Sequence, residues 1–157
     1  AIAGLWWSIV AIIVTDLEHY IILDEVQIAV AVFGLLYHFA IGTDMADVIG
    51  AGVAGLIIGL VLKYGFIYLR NKDGLGLGDV KLLFGIGIWL ASLISFVPFL
   101  FFSGLLGVVC GLLWRVMGRG AVFPFGPALA LAMFACVIWP ETLSFFWQSY
   151  GVTFTEN

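Results

Sequence analysis

Residues 48–69 read VIGAGVAGLIIGLVLKYGFIYL, with Lys63 as the one charged side chain in the run. An α-helix needs about 20 predominantly apolar residues to cross the hydrocarbon core of a bilayer, and this run supplies them. A barrel strand does not fit, because the run is too long and lacks alternation of apolar and polar positions. In lipid every backbone N–H and C=O must be satisfied within the segment, so the stretch is a helix. Small residues recur every fourth position at Ala51, Gly55 and Gly59, a spacing that lets helices approach closely in a membrane. We read it as packing.

Working outward, five more apolar runs flank this one, at 1–15, 26–41, 80–96, 98–117 and 128–147. Each is too long for a strand, so the expectation is an all-α, polytopic membrane helix bundle of about six transmembrane helices, with 1–157 as a single membrane-embedded domain. Composition agrees: 64% of the 157 residues are hydrophobic and 10% are charged, against roughly 45–50% and 25% in soluble domains. Lipid is the natural solvent for such a chain. The polar connections fall at 16–25, 42–47, 70–79 and 118–127, with a tight break at Pro98 and a polar tail, 149–157, expected to fray. The first run is short for a span, and no basic n-region marks a signal peptide. We therefore expect residues missing upstream, rather than a first helix that continues through Asp16.

Charge placement orients the bundle. With six helices threaded in alternation, Lys63, Arg70, Lys72, Lys81, Arg115 and Arg119 all fall on one side, whereas Asp44, Asp47, Glu141 and Glu156 fall on the other. The excess of Lys and Arg marks the cytoplasmic side, so both chain ends point away from the cytoplasm. Six scattered basic residues make no phosphate-binding tract, so no nucleic-acid partner is expected. Cys110 and Cys136 stand alone in apolar runs and read as small buried hydrophobes. Gly107 and Gly111 repeat the small-residue spacing of helix 3, but no internal repeat emerges. No His, Cys and carboxylate cluster has metal-ligand spacing, so no metal is expected.

Carboxylates near a bilayer are costly and are functional candidates by default. Asp16 is expected to end helix 1 and Asp79 to begin helix 4, both at the cytoplasmic ends and at similar depth. Two such groups brought together cannot readily ionise twice, so one keeps a proton. The ionised member takes a proton from water while the protonated member polarises a carbonyl. That chemistry is aspartyl proteolysis, and it needs no cofactor. Gly76 and Gly78, ahead of Asp79, permit close approach of another backbone. The alternative reading of Gly76-Leu77-Gly78-Asp79 is a flexible loop with Asp79 capping helix 4.

At this point a family likeness becomes specific. Asp16-Leu17-Glu18-His19-Tyr20-Ile21-Ile22-Leu23-Asp24 resembles the Asp-x-x-His-x-Leu-Leu-Pro-Asp segment of bacterial type 4 prepilin peptidases. Gly76-Leu77-Gly78-Asp79-Val80-Lys81-Leu82-Leu83 resembles their Gly-x-Gly-Asp-x-Lys-Leu-Leu segment, and Pro124-Phe125-Gly126-Pro127 a third element. The three stand in the family's order. The resemblance implies an intramembrane aspartyl endopeptidase of the bacterial inner membrane, removing short basic leaders from prepilins or pseudopilins at the cytoplasmic face, with Asp16 and Asp79 as the catalytic pair. Two departures stand out. Leu23 replaces the usual Pro, and the Cys-x-x-Cys-bearing region of many members is absent. In fuller members a second activity methylates the new N-terminus with S-adenosylmethionine; that cofactor is left open for this sequence.

Among accessory residues, Glu18, Asp24, Glu25 and Asp73 fit attraction of a basic leader, or a plain solvated loop. Lys81 either biases Asp79 or snorkels to the interface. Phe125 and Gly126 are candidates to clamp an extended substrate backbone. His19 reads as a wet interfacial residue, and His38 has no evident partner. The presenilin-like alternative shares Gly-x-Gly-Asp but pairs it with Tyr-Asp and Pro-Ala-Leu elements, where this chain has Thr15-Asp16 and Pro-Phe-Gly-Pro. A proton- or cation-coupled transporter would also use membrane carboxylates, but near the midplane at broken helices.

Overall fold

A computed structural model describes residues 1–71, 75–118 and 124–139. Lys72, Asp73, Arg119, Glu141, Glu156 and the tail from 149 lie outside the described residues. Among those described, six helices run in order: α1 (Ile2–His19), α2 (Asp24–Ile41), α3 (Met45–Arg70), α4 (Leu77–Leu90), α5 (Phe96–Val116) and α6 (Gly126–Ile138). Four of them, Ile2–His19, Asp24–Ile41, Met45–Leu69 and Phe96–Val116, are long and apolar enough to cross a membrane. The chain is an all-α polytopic membrane bundle.

Three expectations need correction. Helix α1 does not stop before Asp16 but continues to His19 and closes on Tyr20 in the left-handed region at φ 56°. Asp16 is buried within its last turns, where the helix itself satisfies the backbone of an otherwise polar stretch. The break placed at Pro98 falls earlier, where Ala91 ends α4 at φ 49° and a turn leads to Phe96. Pro98 sits in the first turn of α5, where its missing N–H leaves no helical bond unmade. Helix α6 begins at Gly126, ahead of the expected 128, because Pro127 is pre-set for a first helical turn.

Helix α4 has only 14 residues, a rise of about 21 Å, and it is the best shielded of the six. It packs against α3, α2 and α6, so its neighbours rather than lipid cover most of it. Its closest partner is α3. A Cβ on Gly55 would strike the carbonyl oxygen of Leu83, and one on Gly87 would strike that of Ala51. The small-residue row on α3 therefore brings two backbones into contact, as its spacing implies. On the other flank Trp89 Nε1 donates to Val30 O at 2.9 Å, and His38 Nε2 is 3.2 Å from Trp89 O. His38, for which the sequence shows no partner, thus ties α2 to the far end of α4, with Thr43 Oγ1 on its other nitrogen. Helix α1 completes the bundle by packing on α2 and α6, and α5 by packing on α6.

Candidate active site

The ends of α1, α4 and α6 converge at one end of the bundle. Asp16 comes from the C-terminal part of α1, and Asp79 is the third residue of α4, behind the N-cap Gly76. They are 6% and 8% exposed, among few buried charged side chains in the described residues. Both line one cavity of about 240 Å³, with Gly76, Gly78, Asp24 and Lys81 on its walls. They lie close enough for the charge of Asp16 to act on Asp79.

Each carboxylate is held by a backbone amide. Gly126 N–H donates to Asp16 Oδ2 at 2.9 Å, and Gly76 N–H donates to Asp79 Oδ2 at 3.1 Å. The second contact is half of a capping box, since Gly76 has no side chain to return the bond. Both open readings of Asp79 therefore meet in one geometry: it helps close the start of α4 and it faces the cavity with Asp16. Among the described residues neither Oδ1 accepts a hydrogen bond, which leaves one oxygen of each carboxylate for a water or a substrate.

Gly126 shows why α6 begins with glycine. A Cβ there would lie 2.6 Å from Asp16 Oδ2, so only glycine brings its amide onto the carboxylate. Gly78 is less crowded: a Cβ would meet Ile22 at 3.4 Å, an ordinary contact. Phe125 is half-buried against α5, at Gly107, and it does not line the carboxylate cavity. Lys81 Nζ donates to both carboxylate oxygens of Asp24, at 2.8 and 2.9 Å, on the exposed rim. Glu18 is exposed beside His19, at 3.9 Å, and away from the cavity wall. No three His, Cys, Asp or Glu side chains among the described residues come together as a metal site requires.

Sequence reasoning used Lys63 to orient the bundle and passed over it as a site residue. It is 6% exposed on α3 and its Nζ donates to Leu75 O at 2.8 Å, next to the N-cap Gly76 and within electrostatic range of Asp79. The signal was there, since a lone charge in a long apolar run is a candidate by the same rule that singles out the aspartates.

The family model for the type IV leader peptidase family matches residues 2–112. The chain belongs to the type IV leader peptidase family. Within it, leader peptidase HopD of Escherichia coli is 34% identical over 137 residues, which is 82% of this chain and 85% of that protein. Prepilin leader peptidase/N-methyltransferases are similar too, that of Aeromonas salmonicida at 30% over 145 residues and that of Pseudomonas aeruginosa at 28% over 144. In both cases 89% of this chain is covered but only 49% of the relative. The chain thus spans about half the length of the larger family members it matches. No solved structure matches it.

Proposed function

We propose that this chain is an aspartic endopeptidase that removes the short basic leader of type IV prepilins or pseudopilins at the cytoplasmic face of the bacterial inner membrane. The observation that carries the proposal is the meeting of two buried carboxylates, from α1 and α4, in one cavity at one end of a membrane bundle. Placement of the basic residues supports the orientation, since Lys63 and Lys81 lie at this same end. Family membership supports the substrate class.

In the reaction the ionised carboxylate removes a proton from a water held between the Oδ1 atoms. The resulting hydroxide adds to the scissile carbonyl carbon, and the protonated carboxyl gives its proton to the carbonyl oxygen. The gem-diol collapses, the C–N bond breaks, and the amide nitrogen leaves as an amine with a proton returned by the dyad. The two carboxyls act as a unit, so neither is assigned a fixed role. The amides of Gly126 and Gly76 hold the dyad in register, and Gly76 and Gly78 leave room for a substrate backbone. Asp24, with Glu18 further out, supplies negative charge for a basic leader, and Lys81 sets the position of Asp24. Phe125 positions Gly126. Proteolysis by this route uses no metal or cofactor; methylation with S-adenosylmethionine is no part of the proposal.

The test is cleavage of a reconstituted prepilin, read as new termini by mass spectrometry. Asp16→Asn and Asp79→Asn should each remove nearly all cleavage, and the double variant should lose little more. Asp24→Asn, which removes a leader-attracting charge and an exposed ion pair but neither dyad carboxyl, should raise KM and keep substantial kcat. Full cleavage by both single variants, shown to be inserted and folded, would sink the aspartyl mechanism and move a carboxylate-coupled transporter ahead.

A further inference from the structure

Lys63 is the one charged side chain in the apolar run 48–69, and a cation inside such a run is costly enough to need a reason. Gly59, one helical turn before it, brings α3 against the first turn of α4, since a Cβ there would lie 3.2 Å from Val80 Cα. Lys63 therefore stands level with the glycine turn. It is 6% exposed, and its Nζ donates to Leu75 O at 2.8 Å. That oxygen belongs to the peptide group between Leu75 and Gly76. The N–H of the same peptide group donates to Asp79 Oδ2 at 3.1 Å. One planar unit thus carries the ammonium on its oxygen and the carboxylate on its hydrogen.

The other carboxylate is held in the same way, but with neutral groups in the cation's place. The Gly126 N–H that donates to Asp16 belongs to the Phe125–Gly126 peptide, whose oxygen accepts from Ala128 N–H and Leu129 N–H at 3.1 and 3.2 Å. An ammonium on a carbonyl oxygen draws electron density along the amide and makes its N–H a stronger donor, because hydrogen bonds in a chain polarise one another. We propose that Lys63 is a positioning residue of the dyad: through the Leu75–Gly76 peptide group it fixes the plane of the glycine turn and strengthens the Gly76 N–H bond to Asp79. The proposal rests on the endopeptidase reading above and adds a residue that acts through the turn rather than on the substrate. Among the described residues, the ionisable groups around Asp79 are Asp16 and Tyr20 at the end of α1, Asp24 of α2, Lys63 of α3 and Lys81 of α4. Helix α6 brings no charged side chain. Asp24 and Lys81 pair with each other at the rim, so Lys63 is the cation whose removal the dyad should feel.

Prepilin cleavage by the protein in liposomes, followed across pH, tests it. Removing a cation beside Asp79 favours the protonated carboxyl. Lys63→Met should therefore move the acid limb of the kcat/KM profile to higher pH by about one unit, with kcat about tenfold lower and KM little changed. Lys63→Arg, which keeps the charge, should return the limb to its wild-type position and recover part of the rate. A rate loss in Lys63→Met with the acid limb unmoved would make Lys63 a support of the loop alone and refute the proposal. An unaltered rate and profile would refute it equally, and both results leave the peptidase reading intact. A second measurement needs no turnover. The infrared carboxyl band present in the Asp16→Asn protein and absent from the Asp16→Asn/Asp79→Asn protein reports Asp79 alone, and its titration midpoint should rise when Lys63→Met is added. An unmoved midpoint would overturn the proposal even if no prepilin were cleaved, whereas absence of cleavage by the wild type would sink the endopeptidase reading instead.

Discussion

Gly126→Ala should silence the site while leaving the fold standing. Gly126 is the first residue of α6 and does not have a positive φ, so alanine meets no backbone penalty there. The added Cβ would lie 2.6 Å from Asp16 Oδ2 and 3.1 Å from both Asp16 Cγ and Ile22 Cδ1. The carboxylate must retreat by several tenths of an ångström, and the 2.9 Å bond from Gly126 N–H weakens or breaks. A hydrogen bond to a charged group contributes about 1.5–3 kcal/mol, and tenfold in rate corresponds to about 1.4 kcal/mol. A small displacement of a reacting group adds to this, up to about 100-fold for 1 Å. The expected outcome is a kcat lower by roughly 10- to 100-fold, a KM little changed, and a thermal midpoint lower by only a few degrees, since the weakened bond also holds a buried carboxylate in the folded state. Prepilin cleavage in detergent, alongside thermal unfolding of the same preparations, measures all three. Gly78→Ala is the instructive control, because its Cβ meets Ile22 at an ordinary 3.4 Å; this motif glycine should tolerate alanine better than Gly126 does. Near wild-type kcat for Gly126→Ala, or a greater loss for Gly78→Ala, would refute the reasoning.

Other outcomes follow from the same geometry. Gly55→Ala should destabilise the bundle by about 1–3 kcal/mol, since its Cβ meets the Leu83 carbonyl, a backbone atom that cannot swing aside. Gly65→Ala on the same helix, with nothing within 4 Å, should be neutral to slightly stabilising in the same thermal melts, alanine being the better helix former. Lys63→Met should lower kcat about tenfold through loss of the charged donor to Leu75 O, with partial recovery in Lys63→Arg; an unaltered rate would show that the turn holds itself. Single cysteines at Asp44 and Asn71, in a background without Cys110 and Cys136, should label from opposite membrane faces with an impermeant reagent, and labelling from one face would overturn the proposed orientation.

The apolar runs alone determined that the chain is a membrane helix bundle, because backbone polar groups in lipid leave no other economical state for segments such as 48–69. The same physics singled out Asp16 and Asp79, as carboxylates are conspicuous where apolar residues dominate. Local signals also placed most helix boundaries within a few residues. They failed where polar residues continue a helix, as α1 does through Asp16 to His19, and where proline opens a helix instead of breaking one, as at Pro98. Only the tertiary structure decided that Gly126, 110 positions after Asp16, lends it an amide. It alone showed that Lys63 reaches the glycine turn and that His38 joins α2 to α4. Hydrophobicity is a property of each segment and can be read along the chain. A hydrogen bond between helices depends on distances between segments, which exist only once α1, α4 and α6 have packed.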